Sequence, residues 1–438
     1  MNRLKGHNAL LWSFLTFSLI LFHVYASGQE KPYGFDVDEF AKKSFSLDGY
    51  IEFRPSFAWL RQNSSLYTLK FYDRDNPKTL AQGYFAFLGD LSYQKGLFEA
   101  LIEPYVDYLA TPYESEASLN LFQGYMLLKP SIAFSVYAGK RTLRWGKGYA
   151  WSPTGFVERP KNPNEPDLVR EGYWMITADY TKSFAGSLKT LSFTPVVIPV
   201  SSSVNETFSR EEGWNFAGKL YLLLLDTDLD LVVLAGKSLS SRFGLDFSRN
   251  LRSNWEIHGE IAYLNDAERT EVMDDGRIQR VTFDATSYLL GTRYLSESET
   301  TYILEYYHDG TGYDSYEMDN FYTFVDGAYE EYVVSGDDSR LKEADGLKSY
   351  SGFTPMTDYI FLRIIQKDAF GALYFNPGAT VIVNLSDGSA SWAPEATYKG
   401  FTNFELRLKA VLLTGKDRQE FGEKPNRFRL ELRARYFF

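Results

Sequence analysis

The chain of 438 residues contains no cysteine, which excludes a disulfide-stapled secreted module and any thiolate-based metal or nucleophilic site. A net positive charge is lacking as well. With 46 Lys and Arg against 57 Asp and Glu the net charge is −11, whereas nucleic-acid binding needs a net or local basic surface. Nucleic acid is therefore excluded as an expected partner, and hydrogen bonding and packing must stabilise the fold.

Long apolar runs are absent after the amino-terminal segment, so no later helix is predicted to span a membrane. That segment has a basic start at Arg3 and Lys5, an apolar run over 9–22, and small residues at Ala26 and Gly28. The pattern predicts a secretory signal peptide over 1–28, cleaved after Ala26 or Gly28, and an exported chain over 29–438. An uncleaved anchor is the alternative, but the run is shorter than the roughly 20 residues that span a bilayer.

Aromatic residues are abundant, at 17% of the chain, with 32 Tyr and 34 Phe. A soluble domain needs far fewer of them for its core. Aromatic girdles at the two edges of a membrane barrel would use this excess.

The last twelve residues alternate between an apolar and a mostly charged side. The apolar side consists of Phe428, Leu430, Leu432, Ala434, Tyr436 and Phe438, and the other side of Arg427, Arg429, Glu431, Arg433, Arg435 and Phe437. This pattern indicates a strand with hydrocarbon on one side and a watery lumen on the other. A half-buried strand of a soluble sandwich shows the same alternation and is the alternative.

Similar two-faced segments recur along the whole chain and give eighteen candidate strands. They lie near 45–60, 80–95, 97–109, 116–129, 131–142, 172–184, 188–200, 214–226, 228–236, 241–250, 254–264, 279–296, 299–308, 357–368, 379–385, 388–398, 402–414 and 427–438. Pro195 and Pro199 weaken one strand, and 220–225 is apolar on both faces. The prediction is an all-β fold: a transmembrane, antiparallel, up-and-down barrel of 16 to 18 strands.

Connection lengths alternate as they do in outer-membrane barrels, which have short periplasmic turns and long outer loops. With the amino terminus inside, the turns near 94–96, 129–131, 226–228 and 296–299 are short. The outer connections near 61–79, 143–171, 201–213, 265–278 and 309–356 are long. Brief outer connections near 237–240 and 386–388, and a long inner one at 368–378, depart from the rule.

The chain resembles the porin-type outer-membrane barrels of Gram-negative bacteria. The resemblance rests on the signal peptide, the repeated strands and the ending Arg-Ala-Arg-Tyr-Phe-Phe. It implies export through the periplasm to the outer membrane, contact with lipid and lipopolysaccharide, and Tyr436 and Phe438 as a signature for the barrel-assembly machinery. It names no substrate subfamily and leaves a homo-oligomer open. The segment 139–148 is similar to strand-to-loop sequences of larger porin-like families.

The third outer loop, 143–171, is where porins of this class commonly fold a loop inward. Here the loop contains Trp145, Trp151 and four prolines, which favour an ordered segment. Its charged residues are Glu158, Arg159, Lys161, Glu165, Asp167, Arg170 and Glu171. The prediction is a constriction of the lumen, and an external lid or a mobile loop are the alternatives.

Charges on the inward side of the strands should line the pore. The predicted basic residues are Arg54, Arg407, Lys409, Arg427, Arg429, Arg433 and Arg435, and the predicted acidic residues are Glu99, Glu103, Asp107, Glu256 and Glu260. Opposed basic and acidic walls would set up a transverse field that orders polar solutes. The alternative is that these side chains pair with one another and solvate the interior.

The outer loop over 309–356 is strongly acidic, with eleven carboxylates against three Lys and Arg between 309 and 350. Such a density could hold divalent cations or repel anions, but the spacing matches no defined calcium loop. We expect a solvated, partly mobile loop and assign no metal ligands.

The predicted function is a channel for passive diffusion of small hydrophilic solutes, without a cofactor and without enzymatic activity. A hydrolase on the barrel's outer wall is one alternative, but it needs a nucleophile, a base and an orienting partner. The exported chain has two histidines, His258 facing the lumen and His308 beside Asp309, and no Gly-x-Ser-x-Gly element. A barrel that serves as a sheath or scaffold for a partner protein is the other alternative.

Overall fold

The computed structural model describes residues 44–209 and 211–438, and the predicted signal peptide lies outside the described residues. Eighteen strands form one sheet. They are β1 Phe45–Leu60, β2 Thr79–Lys95, β3 Phe98–Ala110, β4 Ser115–Ser131, β5 Phe134–Arg141, β6 Tyr173–Ser183, β7 Leu188–Val200, β8 Gly213–Leu224, β9 Thr227–Gly236, β10 Arg242–Arg252, β11 Trp255–Val272, β12 Ile278–Leu295, β13 Thr300–His308, β14 Asp358–Gln366, β15 Phe375–Asn384, β16 Ala390–Phe401, β17 Phe404–Thr414 and β18 Asn426–Phe437.

Each strand pairs antiparallel with its neighbours in sequence, and β1 pairs with β18. The closing ladder runs from Tyr50 opposite Phe437 to Leu60 opposite Asn426. The sheet is therefore a closed up-and-down barrel, and the strand number is 18. The proline-containing strand is present as β7, although its pairing with β6 skips Thr194 and Pro195.

The barrel exposes apolar side chains on its outer face and buries charged side chains on its inner face, which is the reverse of a soluble protein. On β1, Phe53 on the outward face is 54% exposed, whereas the adjacent Glu52 on the inward face is 2% exposed. The same contrast recurs around the sheet, with exposed Leu, Ile and aromatic side chains outside and buried charged side chains inside. This surface is typical of a barrel that meets hydrocarbon, and closure excludes the open-sandwich alternative.

Exposed aromatic side chains form a ring near each end of the apolar band. The ring at the outer end includes Trp59, Trp174, Trp214, Tyr263, Tyr288 and Trp392, and the ring at the inner end includes Tyr93, Tyr180, Trp255, Tyr294, Tyr302 and Tyr398. Amphipathic rings of this kind sit at the level of lipid headgroups.

Four helices lie in the outer connections: α1 Ser65–Phe71, α2 Ser315–Ser335, α3 Ser339–Gly346 and α4 Glu420–Glu423. Helix α2 begins with a capping box formed by Asp314 and Glu317 and ends at Gly336, whose φ of 74° suits glycine. Within the described residues no helix is long and apolar enough to cross a membrane.

The acidic connection 309–356 is not the solvated loop that its charge suggests. Met318, Phe321, Tyr322, Val325 and Ala328 lie at helical spacing along α2 and are at most 1% exposed. The carboxylates lie mainly on the opposite, exposed side. The acidic composition of this connection therefore gave no indication of the second hydrophobic core that it forms. We call the helices α1–α4 and residues 347–357 the cap.

The cap is a packed unit built from three outer connections. Phe321 stacks on Tyr350 with ring centroids 4.3 Å apart, and Tyr350 stacks on Tyr313 at 3.9 Å. The Glu423 carboxylate accepts a hydrogen bond from the Ser65 backbone N–H at 2.6 Å, which ties α4 to the start of α1. The mouth of the barrel is thus covered by ordered structure.

The expected outer connection 265–278 is much shorter in the structure. Strand β11 continues to Val272 and β12 begins at Ile278. A register shift after Leu264, at a bulge that contains Asn265 and Asp266, interrupts the alternation of apolar and polar residues. The predicted strand therefore ends at 264, although β11 continues beyond the bulge.

The seam between β1 and β18 yields a first prediction. The backbone N–H groups of Gly49 and Phe438 each donate to the other residue's carbonyl at 3.2 Å, and the Phe438 ring stacks on Phe87 at 6.0 Å. Deletion of Phe438 should lower the amount of inserted, heat-modifiable barrel severalfold, because closure loses its last pairs. Phe45→Ser, an exposed outward position on β1, is the control, and equal insertion of the deletion variant would contradict the role of the seam.

Candidate functional site

The connection between β5 and β6, residues 142–172, contacts strands on opposite sides of the barrel. In the ring of 18 strands, β9 and β10 lie across from β18 and β1. Near its start the connection contacts β9 and β10, and near its end it contacts β17 and β18. We call residues 142–172 the bridging loop.

At the acidic side, Lys147 of the bridging loop lies between two carboxylates. Its Nζ is 2.7 Å from Asp230 Oδ2 and 3.7 Å from Asp246 Oδ1. Both aspartates are fully buried, so an ammonium beside them offsets a large desolvation cost. Burial disfavours the charged Lys147, but the two aspartates outweigh it and raise the pKa of that ammonium above its usual range.

The Glu260 carboxylate holds the backbone of the bridging loop. Its Oε1 accepts hydrogen bonds from the N–H groups of Lys147 and Gly148, each at 2.6 Å. Its Oε2 accepts two from Thr154, one from the N–H at 3.0 Å and one from the hydroxyl at 2.8 Å. These four donors satisfy a carboxylate that is 4% exposed. At this point the bridging loop is therefore attached to the barrel wall mainly through its backbone and less through its side chains.

Glu305 on β13 holds the next two residues in the same way. It accepts the N–H groups of Tyr149 and Ala150, the latter at 2.8 Å, and its Oε1 lies 2.9 Å from His258 Nε2. Histidine 258 is fully buried and faces inward, as predicted.

The glycines of the segment 139–148 permit this close approach. A Cβ on Gly148 would lie 2.4 Å from the Trp151 carbonyl oxygen and 2.8 Å from Leu289 Cδ1. A Cβ on Gly146 would lie 2.8 Å from Glu260 Oε1. The physical role of these glycines is to bring peptide groups within reach of a wall carboxylate.

Both tryptophans of the bridging loop are buried. Trp145 packs in an apolar cluster with Phe156 and Tyr173. Trp151 stacks on Tyr307 with centroids 5.0 Å apart and donates its indole N–H to Thr354 Oγ1 of the cap at 3.1 Å. The loop is ordered, as the tryptophans and prolines suggest.

The predicted charged residues of the loop mostly pair within it or with the wall. Glu158 pairs with Arg170 at 2.8 Å, Arg159 pairs with Glu171 at 2.9 Å, and Asp167 pairs with Arg363 of β14 at 2.8 Å. The Lys161 ammonium donates to the Gly148 carbonyl.

At the basic side, Glu165 inserts among cations of β17. Its carboxylate lies 2.6 Å from Arg407 Nη1 and 2.8 Å from Lys409 Nζ, and 3.9 Å from Arg433 Nη1 of β18. Burial alone would raise the pKa of Glu165, but Lys409 and Arg407 hold it well below its usual range. Glu165 is therefore a fixed negative charge.

The predicted basic wall is interleaved with carboxylates that were not among the predicted pore-lining residues. Arg54 lies 3.4 Å from Glu52, Arg435 Nε lies 2.9 Å from Glu52, and Arg433 lies 2.6 Å from Glu405. Arg429 lies 3.9 Å from Glu431, and Arg427 is exposed at the outer end of β18. These contacts favour the alternative in which lumenal charges are largely paired.

The predicted acidic residues divide into two groups. On β3, Glu99 pairs with Lys129 at 3.1 Å, Glu103 accepts a hydrogen bond from Gln123 at 2.7 Å, and Asp107 accepts one from Ser118. On β11, Glu256 and Glu260 belong to the network around the bridging loop.

Lys147 and several wall residues of this network were not among the predicted pore-lining residues, although the alternation of the last strand did place Glu431 on the charged side. The wall residues are Glu52, Asp230, Asp246, Glu305, Arg363, Glu395, Glu405 and Glu431. A charged residue at an inward position of a mainly apolar strand, such as Asp228 or Asp230 in β9, is a signal that could have found some of them.

Two cavities flank the bridging loop and the cap. One, of about 410 Å³, is lined by Arg54, Asn164, Glu165, Arg429 and Phe421, and the other, of about 460 Å³, by Trp151, Lys161, Tyr173, Arg242 and Tyr307. Phe353 of the cap borders both cavities.

His308 is the histidine that a hydrolytic site on the outer wall would use as its base, and it lies on the outward face of β13. His308 Nδ1 is 2.9 Å from Asp358 Oδ1, and Tyr306 donates its hydroxyl to the same oxygen at 2.6 Å. Among the described residues no serine or threonine hydroxyl is hydrogen-bonded to His308, so a base and its orienting group are present without a nucleophile in contact.

No family model matches the sequence, and no curated protein matches it. Solved structures similar in fold include OccK5 (OpdH) of Pseudomonas aeruginosa, at 12% identity and a TM-score of 0.49, covering 90% of this chain and 98% of that one. Two engineered variants of the Rhodopseudomonas blastica porin are 10% and 11% identical, with TM-scores of 0.45 and 0.44, covering 90% of this chain and all of theirs. The architecture itself follows from the strand pairing.

The carboxylate anchors yield a second prediction. Replacing both Glu260 and Glu305 with Gln should free the loop backbone, because a neutral amide is a weaker acceptor for several peptide N–H groups. Trypsin should then cut after Lys147 and Lys161 at least about tenfold faster, measured by mass spectrometry of the intact folded barrel. Glu99→Gln on β3 is the control, and an unchanged cleavage rate in the double variant would show that other contacts hold the loop.

A third prediction concerns Glu420 of α4, which is 1% exposed and accepts hydrogen bonds from Tyr359 at 2.7 Å and Asn384 at 2.8 Å. Burial raises its pKa to about 7, although Lys424 opposes the shift. A carboxyl whose pKa is higher in the folded state stabilises the fold fully below its unfolded pKa near 4.5, and this contribution is lost as pH rises through 7.

Hydrogen exchange of 315–346 should therefore be faster at pH 8 than at pH 5 after correction for intrinsic rates, by a stability difference of up to about 3 kcal/mol. Glu420→Gln, which mimics the protonated carboxyl, should reduce the difference, whereas Glu343→Gln at an exposed position should not. Equal pH dependence in both variants would rule out Glu420 as the source.

Proposed function

We propose that the protein is an outer-membrane channel through which small hydrophilic solutes diffuse passively, and that the bridging loop narrows its lumen. The observation that carries the proposal is the span of that loop: Lys147 reaches β9 and β10, and Glu165 reaches β17, which lies eight and seven strands away from them in the ring of 18. A segment whose side chains meet inward-facing charges at mid-strand on opposite walls crosses the interior. It divides the lumen into narrower passages.

The charge distribution supports a polar passage. Inward-facing carboxylates and guanidinium groups surround both cavities, and charged walls favour hydrated polar solutes over apolar ones. Because most lumenal charges are paired, we expect modest ion selectivity. The cap and Phe353 restrict the outer entrance, so the solutes are small.

Planar-bilayer recording of the refolded protein tests the proposal. Replacing 148–167 with a short Gly-Ser link should increase single-channel conductance severalfold and admit larger sugars, because the loop no longer occupies the cross-section. Conductance equal to that of the parent, from a variant that keeps its heat-modifiable mobility, would place the loop outside the conduction path.

The lack of cysteine permits a second measurement that leaves the loop intact. Asn164→Cys, beside Glu165 at the cavity, should lose current when a charged methanethiosulfonate reagent is added. Ser203→Cys, exposed in the outer connection between β7 and β8, is the matched control and should keep its current. Equal responses of the two variants would contradict a lumenal loop.

A further inference from the structure

The larger cavity, of about 460 Å³, lies between the bridging loop and the outer end of β10. Its apolar lining is mainly aromatic and includes Trp151, Phe156, Tyr173, Phe208 and Tyr307. Ligand cavities for small molecules have volumes on the order of 300–1,000 Å³ and combine such a lining with a few placed polar groups. Arg242 enters this cavity from the inward face of β10, and we call it the Arg242 cavity.

The charges that line the Arg242 cavity do not balance. Four cations, Arg159, Lys161, Arg170 and Arg242, face two carboxylates, Glu158 and Asp309. Both carboxylates are already engaged, since Glu158 pairs with Arg170 and Asp309 accepts hydrogen bonds from the Thr311 N–H and hydroxyl. The cavity therefore carries excess positive charge.

The other three cations have their own partners. Arg159 pairs with Glu171 at 2.9 Å and donates to Thr207 at 2.8 Å, Arg170 pairs with Glu158, and Lys161 donates to loop carbonyls. Arg242 and Lys161 are thus the two cations of this lining without a carboxylate within 4.0 Å among the described residues, and the excess charge lies on them. Lys161 has carbonyl acceptors, whereas Arg242 Nε has no acceptor.

Arg242 differs from comparable arginines elsewhere in the described chain. Six arginines have a buried Nε with no hydrogen-bond acceptor: 159, 242, 363, 407, 429 and 433. Five of them have a carboxylate within 4.0 Å. Among the described residues Arg242 has none, although an unpaired guanidinium in an apolar site is costly to keep.

We propose that the Arg242 cavity binds a small anionic solute, one that carries a carboxylate or a phosphate group on an aromatic or apolar body. A guanidinium presents two parallel N–H donors that match either anion, and the aromatic lining packs against the body. The proposal deepens the channel function by naming a solute class, and it rests on that function only for the route to the cavity. Binding itself requires no conduction.

Isothermal titration of the full barrel in detergent tests the site with three probes: benzoate, phenyl phosphate and the neutral benzyl alcohol. At least one anion should bind the parent protein, and benzyl alcohol should bind at least about tenfold more weakly. Arg242→Gln should weaken anion binding at least about tenfold. Arg249→Gln, an exposed arginine at the opposite end of β10, should leave it unchanged.

Thermal unfolding provides a second readout. Because Arg242 makes no ion pair with any described residue, Arg242→Gln without ligand should unfold at or above the parent's unfolding temperature. The binding anion should raise the unfolding temperature of the parent but not of the variant. Failure of Arg242→Gln to fold, or equal anion affinity in the variant, would make Arg242 structural and overturn the proposal. Anion binding without conductance would overturn the channel alone, and conductance without anion binding would overturn this site alone.

Discussion

Backbone hydrogen bonding in hydrocarbon is the constraint on which the rest of this structure depends. A strand that faces lipid has no water to satisfy its N–H and C=O groups, so the sheet must close on itself. Closure through β1 and β18 in turn fixes which face of every strand is enclosed. The enclosed face then becomes the place where charge can be kept, and residues such as Glu260, Glu305 and Asp230 are buried there with partners.

The bridging loop and the cap are held in place by different kinds of contact. The loop is held by wall carboxylates, by Lys147 and by Glu165, all through charged or polar contacts. The cap is held by an aromatic core around Phe321, Tyr350 and Tyr313, with Trp151 of the loop packed against the same cluster. Polar contacts with the barrel wall and apolar packing in the cap produce one continuous ordered structure.

Each of the eighteen strands matches a candidate segment, because alternation with period two is a local signal. The predicted number stayed at 16 to 18, since prolines weaken one strand and 220–225 is apolar on both faces. The sequence also identified the loop with Trp145 and Trp151 and the inward charges of β17 and β18. It could not pair Glu165 with Lys409, since that contact joins residues 244 positions apart through the curvature of a closed barrel. The cap was missed for a different reason: the carboxylates of the connection between β13 and β14 far outnumber its Lys and Arg, and the buried face of α2 appears only when residues such as Met318 and Phe321 are read at helical spacing.

The wall carboxylates bind peptide N–H groups of the loop, so these bonds do not depend on which amino acids the loop contains. Tyr149 and Ala150 are held through their N–H groups, which every residue except proline possesses, so the bonds to Glu305 do not themselves require a particular side chain at these positions. The positions where a side chain would obstruct that contact are Gly146 and Gly148. A redesigned loop would therefore keep Gly146 and Gly148 for the backbone contacts, and Lys147, Trp151 and Glu165 for their side-chain contacts, while positions that make neither kind of contact can be exchanged.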